Sequence, residues 1–106
     1  MIPVRFAPEV ADDLVAAVRW YEERRAGLGD ELLAELESIL PIIGSRPRSF
    51  PRLVTKSPAY EIRRALLPRF PYAIVFLVRA EELRVLAVAH AKRRPGYWLG
   101  RVRRSR

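Results

Sequence analysis

The sequence predicts an α+β fold in the order β-α-α-β-β-β, with an N-terminal strand and a helical hairpin packed on one face of an antiparallel sheet. In the first half, apolar residues recur every three or four positions in two stretches, which is the period of helices buried on one side. In the second half, Tyr72–Val78 and Leu83–His90 are apolar on both faces (Arg84 excepted), as is typical of central strands. Hairpin-length links join these runs, which predicts a meander but leaves the strand order in the sheet open.

Two helices are predicted between an initial strand and the sheet. The strand occupies residues 3–6, and the first helix follows from residue 8 to about residue 25. Gly27 is predicted to end that helix, and the short link favours an antiparallel second helix at residues 30–43. Pro41 lies inside the second helix, where a proline removes a hydrogen bond at a cost of about 3 kcal/mol, so we expect a kink or an end just before it.

The remainder is predicted as a loop, three strands and a tail. Residues 44–58 are rich in proline and serine and lack a period, so they read as a loop that Phe50 anchors to the core. Residues 60–67 alternate in polarity and predict the first strand of the meander. We expect a single domain at residues 1–100 and a mobile basic C-terminal tail at residues 101–106.

The composition excludes cysteine-based sites and gives no indication of a membrane-spanning segment. The 106 residues include no cysteine and one histidine, so no disulfide, thiolate nucleophile or cysteine-bound zinc is available. We predict neither a cofactor nor a metal. No apolar run approaches the roughly 18 residues that span a membrane, and no signal peptide is recognisable, so a cytoplasmic protein without a membrane partner is expected.

The charges are segregated along the chain. Residues 1–45 carry nine acidic and four basic side chains, a formal charge of −5, whereas residues 46–106 carry sixteen basic and three acidic ones, a charge of +13. Eighteen of the twenty cations are arginine, which suits bidentate contacts to phosphate and carboxylate. This pattern predicts an anionic partner, either nucleic acid or an acidic protein segment.

Several local motifs, in this order, resemble the RelE/ParE superfamily of bacterial type II toxins, often called plasmid-stabilisation proteins. The matching segments are WYEER at 20–24, GLG at 27–29, PRSFP at 47–51, RRALLPRFPY at 63–72, VAH at 88–90 and RRPGYW at 93–98. The resemblance extends from Phe6 to about Arg101. It implies a small cytoplasmic toxin that a cognate, typically acidic antitoxin neutralises, and either a homodimer or a toxin–antitoxin hetero-oligomer.

The superfamily contains two activities. RelE-like members are ribosome-dependent endoribonucleases that cut mRNA, whereas ParE-like members inhibit DNA gyrase and cut nothing themselves. The long helical hairpin and the segment from Trp20 to Gly29 look ParE-like, so gyrase inhibition is the leading expectation. The alternatives are an mRNA endoribonuclease and a non-toxic binding module of the same fold.

The candidate site residues lie in the basic second half. If the chain is a nuclease, we expect His90, Arg93, Tyr97 and Arg63 to supply acid–base groups and cations for a developing phosphorane. If it is ParE-like, no residue is catalytic and the same region binds the target or the antitoxin through Arg63, Arg64, His90, Lys92, Arg93, Arg94, Tyr97 and Trp98. Structural roles are alternatives: a backbone hydrogen bond for His90, and cover for the sheet edge from the two aromatic residues.

Overall fold

The computed structural model describes residues 2–55 and 59–104, and its elements confirm the predicted fold class and order. In chain order these are β1 Val4–Phe6, α1 Val10–Arg24, α2 Leu28–Ser45, a 3₁₀ turn Pro47–Ser49, β2 Glu61–Leu66, β3 Tyr72–Val78, β4 Leu83–His90 and α3 Leu99–Arg104. The bounds of β3 and β4 are those predicted from their apolar runs. Residues 56–58, the end of the loop predicted at residues 44–58, lie outside the described residues.

The four strands form one mixed sheet in the order β1-β4-β3-β2. β2, β3 and β4 form the predicted antiparallel meander, and β1 is part of the sheet as an edge strand parallel to β4. β1 is short and pairs with β4 only as far as Phe6, which lies opposite Val85. The second half of β4 therefore has a strand on one side only.

Each face of the sheet carries its own apolar core. α1 and α2 cover one face, where Leu32, Leu36, Ile74 and Phe76 are buried. Phe50 packs edge-on against Phe76 with ring centroids 5.9 Å apart, so this residue anchors its loop as predicted. The other face is covered by α3 and by residues of the loop before β2, and its buried members are Ile62, Val75, Leu77, Leu86, Ala87, Ala89, Trp98 and Val102.

The structure corrects the prediction for the second helix. α2 begins at Leu28, two residues earlier than expected, and it continues past Pro41 to Ser45. Ile43, beyond the proline, is fully buried in the helix-side core. Burial of such a side chain is worth about 1.5–3 kcal/mol, which offsets the cost of the proline and keeps the last turn helical.

The link between the helices depends on two glycines and one carboxylate. Gly27 has a φ of 88°, a left-handed conformation that suits glycine, and it precedes α2. Gly29 lies inside α2, and a Cβ there would approach Val18 Cγ1 to 2.9 Å. Glu22 accepts hydrogen bonds from the backbone N–H groups of both glycines, at 2.9 and 3.0 Å. Glu22 thus fixes the angle at which α2 leaves α1.

The expected mobile tail is wrong for the part of it that the structure describes. Arg101–Arg104 belong to α3, and Val102 is 1% exposed against the sheet. Trp98, a candidate binding residue for which cover of the sheet edge is the alternative, is 5% exposed in the same core. The burial of these two side chains holds α3 on the face of the sheet opposite to the hairpin, and this long-range contact outweighs the low helix-forming capacity of so short and charged a segment.

Candidate functional site

An open cleft of about 770 Å³ lies where α1 passes the C-terminal end of β4. We call it the β4 cleft. Its lining comes from α1 (Asp12, Asp13, Ala16, Ala17, Trp20, Tyr21), from the strands (Pro71, Tyr72, Val88, His90) and from the segment after β4 (Ala91, Lys92, Arg93, Tyr97). Four of the predicted site residues, His90, Lys92, Arg93 and Tyr97, therefore come together in one place.

His90 is the last residue of β4 and lies opposite Tyr72 of β3. The two rings meet edge to face, with centroids 5.0 Å apart. His90 Nδ1 accepts a hydrogen bond from the backbone N–H of Lys92 at 3.0 Å, so in the neutral ring the proton is on Nε2. The backbone hydrogen bond considered at the sequence level is thus present, and Nε2–H remains as a donor for a partner.

Two tyrosines, Tyr72 and Tyr97, line the cleft together with His90. Burial raises the pKa of Tyr72 above the ordinary value of a phenol. Burial, followed by the nearby Asp13 carboxylate, also raises the pKa of Tyr97. Both hydroxyls therefore stay protonated near neutral pH and are donors, unsuited to act as general bases.

The cationic rim of the cleft is held by aromatic contacts. The Arg93 guanidinium lies 4.0 Å from the centroid of the Tyr97 ring. Arg24, which is not part of the cleft lining, lies against the Trp20 ring with its guanidinium 3.4 Å from the ring centroid, and it donates to the Trp20 carbonyl oxygen at 2.8 Å. Trp20 is 48% exposed, so its ring, which precedes the core residue Tyr21, lies on the surface of the protein.

An ion pair buried behind the cleft joins α1, β4 and α3. Arg101 donates to both carboxylate oxygens of Asp13, from Nη1 to Oδ2 at 2.7 Å and from Nη2 to Oδ1 at 3.2 Å. Asp13 Oδ2 also accepts from the Val88 backbone N–H at 3.0 Å, and Arg101 Nη1 donates to the Leu86 carbonyl oxygen at 3.0 Å. Each side chain is 12% exposed. The pair fixes the edge of β4 and the start of α3.

The other predicted site residues lie outside the cleft. Arg63 is opposite Phe76, four residues along β3 from the partner of His90, and its guanidinium binds Glu61 and the Phe50 carbonyl oxygen at 2.8 and 2.6 Å. At about 3.3 Å per residue, that separation places Arg63 roughly 13 Å from His90 along the strand. Arg64 is exposed on the opposite face of the sheet from Arg63, Arg94 is exposed beyond the rim, and Trp98 is buried.

The cleft also contains residues that sequence reasoning left out as site members. The sequence motifs include Trp20 and Tyr21, but Tyr72, Asp12 and Asp13 are not among the site residues proposed from the sequence. The contacts that bring α1 to the strands join residues 51 positions apart (Tyr21 and Tyr72) and 75 positions apart (Asp13 and Val88), and no local pattern encodes such pairs. One local feature of the sequence does indicate an exposed aromatic residue here. Helical geometry places Trp20 beside the apolar face of the first helix and not within it.

The free polar groups of the cleft are mostly donors. Tyr72 and Tyr97 hydroxyls, His90 Nε2–H and the cations Lys92 and Arg93 face the cleft, together with the carboxylate of Asp12 and that of Asp13, which Arg101 binds. The remaining walls are apolar or aromatic. Such a site suits a ligand that brings acceptors, above all carboxylates, together with apolar side chains. Within residues 2–55 and 59–104, no cluster of histidine and carboxylate side chains is suited to hold a metal, and no helix is long and apolar enough to cross a bilayer.

No protein-family model and no curated protein matches the sequence. Among solved structures, the chain is similar to a chain of a chromosomal ParDE TA system from P. aeruginosa, with a TM-score of 0.73 and 16% sequence identity. The match covers 87% of this chain and 98% of the other. This similarity shows that the two chains share a fold.

Proposed function

We propose that this chain is the toxin of a type II toxin–antitoxin system. The observation that carries the proposal is the shared fold with a chain of a ParDE TA system over nearly the whole of both chains. The family-like motifs support it, because the segments at 20–29 and 88–98 supply most of the lining of the β4 cleft. The same parts of the chain that carry the resemblance thus build its main surface feature.

Within this class we propose a ParE-like protein that inhibits DNA gyrase by contact in the cytoplasm. The protonated phenols of Tyr72 and Tyr97, the His90 N–H and the cations Lys92 and Arg93 form a surface rich in hydrogen-bond donors. A surface of arginine and aromatic residues is typical of protein-binding hot spots. Binding, not bond cleavage, is the activity that this arrangement favours.

The cognate antitoxin is proposed to place an acidic segment in the β4 cleft. Lys92 and Arg93 would bind its carboxylates, the aromatic walls would bury its apolar side chains, and His90 Nε2–H and Tyr97 would donate to its carbonyl oxygens. Arg94 directly follows Arg93 and would extend the cationic rim of the cleft. Neutralisation would follow from occupation of this surface.

Controlled expression of the chain in bacteria tests the toxin proposal. We expect growth arrest on induction, and recovery when a small acidic protein encoded beside the toxin gene is co-expressed. The variant Lys92→Ala/Arg93→Ala, which alters the rim and leaves the core intact, should permit growth. Normal growth with soluble wild-type protein would contradict the proposal and favour a non-toxic binding module.

A RelE-like endoribonuclease is the second candidate, and one observation favours it. His90, Arg93 and Tyr97 share the β4 cleft, as an acid–base site for RNA cleavage would require. Arg63, the fourth residue of that predicted set, lies elsewhere and is engaged by Glu61. Mapping mRNA 5′ ends after induction separates the two candidates: new ribosome-dependent cleavage sites support the nuclease, and their absence together with growth arrest supports ParE-like action.

A further inference from the structure

Within the described residues, the C-terminal half of β4 is a sheet edge without a neighbouring strand. β1 ends at Phe6, opposite Val85, and a β-bulge follows at once, because Val75 lies opposite Ala87 while Phe76 lies opposite Val85. From this bulge to His90, β4 has β3 on one side, and no strand of residues 2–55 or 59–104 lies on the other. Its outward backbone groups must find other partners.

The Asp13–Arg101 pair supplies what a neighbouring strand would supply. A strand alongside β4 would offer a carbonyl oxygen to the Val88 N–H and an N–H to the Leu86 carbonyl oxygen. Here the Asp13 carboxylate accepts from Val88 N–H and the Arg101 guanidinium donates to Leu86, at 3.0 Å each. Two side chains, joined by a bidentate ion pair, thus reproduce one step of a strand's hydrogen-bond ladder.

The apolar sequence of this half of β4 would favour pairing with a strand of another molecule if its edge were open. Leu86, Ala87, Val88 and Ala89 are all apolar and buried. Apolar strand segments with unpaired backbone groups pair readily with another strand, and proteins commonly block such edges with charged side chains. α1 and α3 bring opposite charges to this edge from positions 13 and 101, although both elements could have packed on the sheet without them.

We propose that the Asp13–Arg101 pair is a lock that closes β4 to strand addition. With the pair in place, no extended segment reaches the Leu86 and Val88 backbone. Without it, the strand that fills the edge is β4 of a second copy, which carries the same two open groups and the same apolar residues and pairs with the first in antiparallel register. The lock is independent of which target the protein acts on.

Native-state hydrogen exchange of the wild-type protein is the first test. The lock predicts that the Val88 amide is protected to the same degree as amides of the central strand β3, although no strand lies beside it. A cross-hydrogen-bond NMR coupling between the Val88 amide nitrogen and the Asp13 carboxylate carbon would identify the acceptor. Rapid exchange at Val88 in the folded protein would overturn the proposal without the need for any variant.

The double variant Asp13→Ala/Arg101→Ala is the second test. It removes both charges together, so neither is left buried alone, and Trp98 and Val102 continue to hold α3. We expect Val88 exchange to become at least about tenfold faster in dilute solution and the sedimentation mass to double, relative to wild type, as concentration rises.

The matched control is Glu35→Ala/Arg69→Ala, which removes an ion pair of similar length, 3.0 Å, that lies away from the edge of β4. The control should keep the wild-type mass at every concentration. A folded Asp13→Ala/Arg101→Ala protein with wild-type mass and a protected Val88 amide would overturn the lock. If this variant does not fold, rapid Val88 exchange in the wild-type protein still overturns the lock.

Discussion

At the scale of single residues, Glu22 illustrates how one side chain joins two helices. Its carboxylate binds the backbone N–H groups of Gly27 and Gly29, and these hydrogen bonds lower the pKa of Glu22 below the ordinary value of a glutamate, 4.5. The ionised side chain therefore stabilises the fold at pH values above its unfolded-state pKa. That contribution is lost as the pH falls through the folded-state pKa.

Glu22→Gln should lower the free energy of unfolding at pH 7. The difference from the wild-type protein should shrink as the pH falls below about 4, because the wild-type carboxyl then becomes neutral too. Urea unfolding at several pH values measures this difference. Glu23→Gln, one residue along and exposed, is the control, and an E22Q deficit that persists unchanged at pH 3 would contradict the role of the charge.

The Asp13–Arg101 pair makes a second prediction at this scale. Asp13→Ala or Arg101→Ala alone leaves a charge with little solvent and without its partner, so each should cost about 3 kcal/mol of the free energy of unfolding. The double variant should cost clearly less than the two together, with a coupling of about 1 kcal/mol or more. A double-mutant cycle by urea unfolding measures the coupling, and strict additivity would contradict the geometry.

At the scale of elements, α3 shows where local sequence rules fail. Six residues with three arginines have little tendency to form a helix alone, and the sequence accordingly predicts a tail. Trp98 and Val102 reverse that outcome, because they cover an apolar sheet face that would otherwise meet water. The consequence is that Trp98 serves stability while its neighbour Tyr97 faces the cleft.

Trp98→Ala should therefore destabilise the fold by about 3–5 kcal/mol, the usual cost of removing a large buried aromatic side chain. Thermal or urea unfolding measures the loss. Arg94→Ala, four positions earlier and exposed, should change stability by less than about 0.5 kcal/mol. Equal stability of Trp98→Ala and the wild-type protein would show that α3 is not part of the core.

The elements also show which predictions a sequence supports. β3 and β4 could be bounded from their residues because strands buried on both faces are apolar at every position. α2 could not, because the penalty of Pro41 is local and the burial of Ile43, which outweighs it, depends on tertiary contacts. The parallel pairing of β1 with β4 could not be predicted either, because the sequence of a three-residue strand does not indicate which strand it pairs with.

At the scale of the whole molecule, the segregation of charge along the chain does not locate the β4 cleft, which takes six of its lining residues from the acidic half. Arg63 and Arg69 are as basic as Arg93, yet the first two bind carboxylates of this chain, Glu61 and Glu35. Arg93 instead lies on Tyr97 at the rim of the β4 cleft. Four of the site residues proposed from the sequence line the cleft. The other lining residues can be identified only from the fold, because it is the fold that brings α1 to the end of β4.

Arg93→Ala should weaken binding of the antitoxin at least about tenfold, as expected for an arginine at a binding hot spot, and leave the unfolding free energy within about 0.5 kcal/mol. Titration calorimetry or fluorescence anisotropy with the purified antitoxin measures the affinity. Arg79→Ala, an exposed arginine at the other end of β3, is the matched control and should bind normally. Equal losses in both variants would indicate general electrostatic attraction and not a site.

Supercoiling of relaxed plasmid DNA by gyrase is the most direct measurement of the central claim. We predict that the purified wild-type chain blocks supercoiling in a dose-dependent manner, that the antitoxin restores it, and that the folded variant Lys92→Ala/Arg93→Ala has little effect. Undiminished supercoiling in a large molar excess of folded wild-type protein would contradict the account.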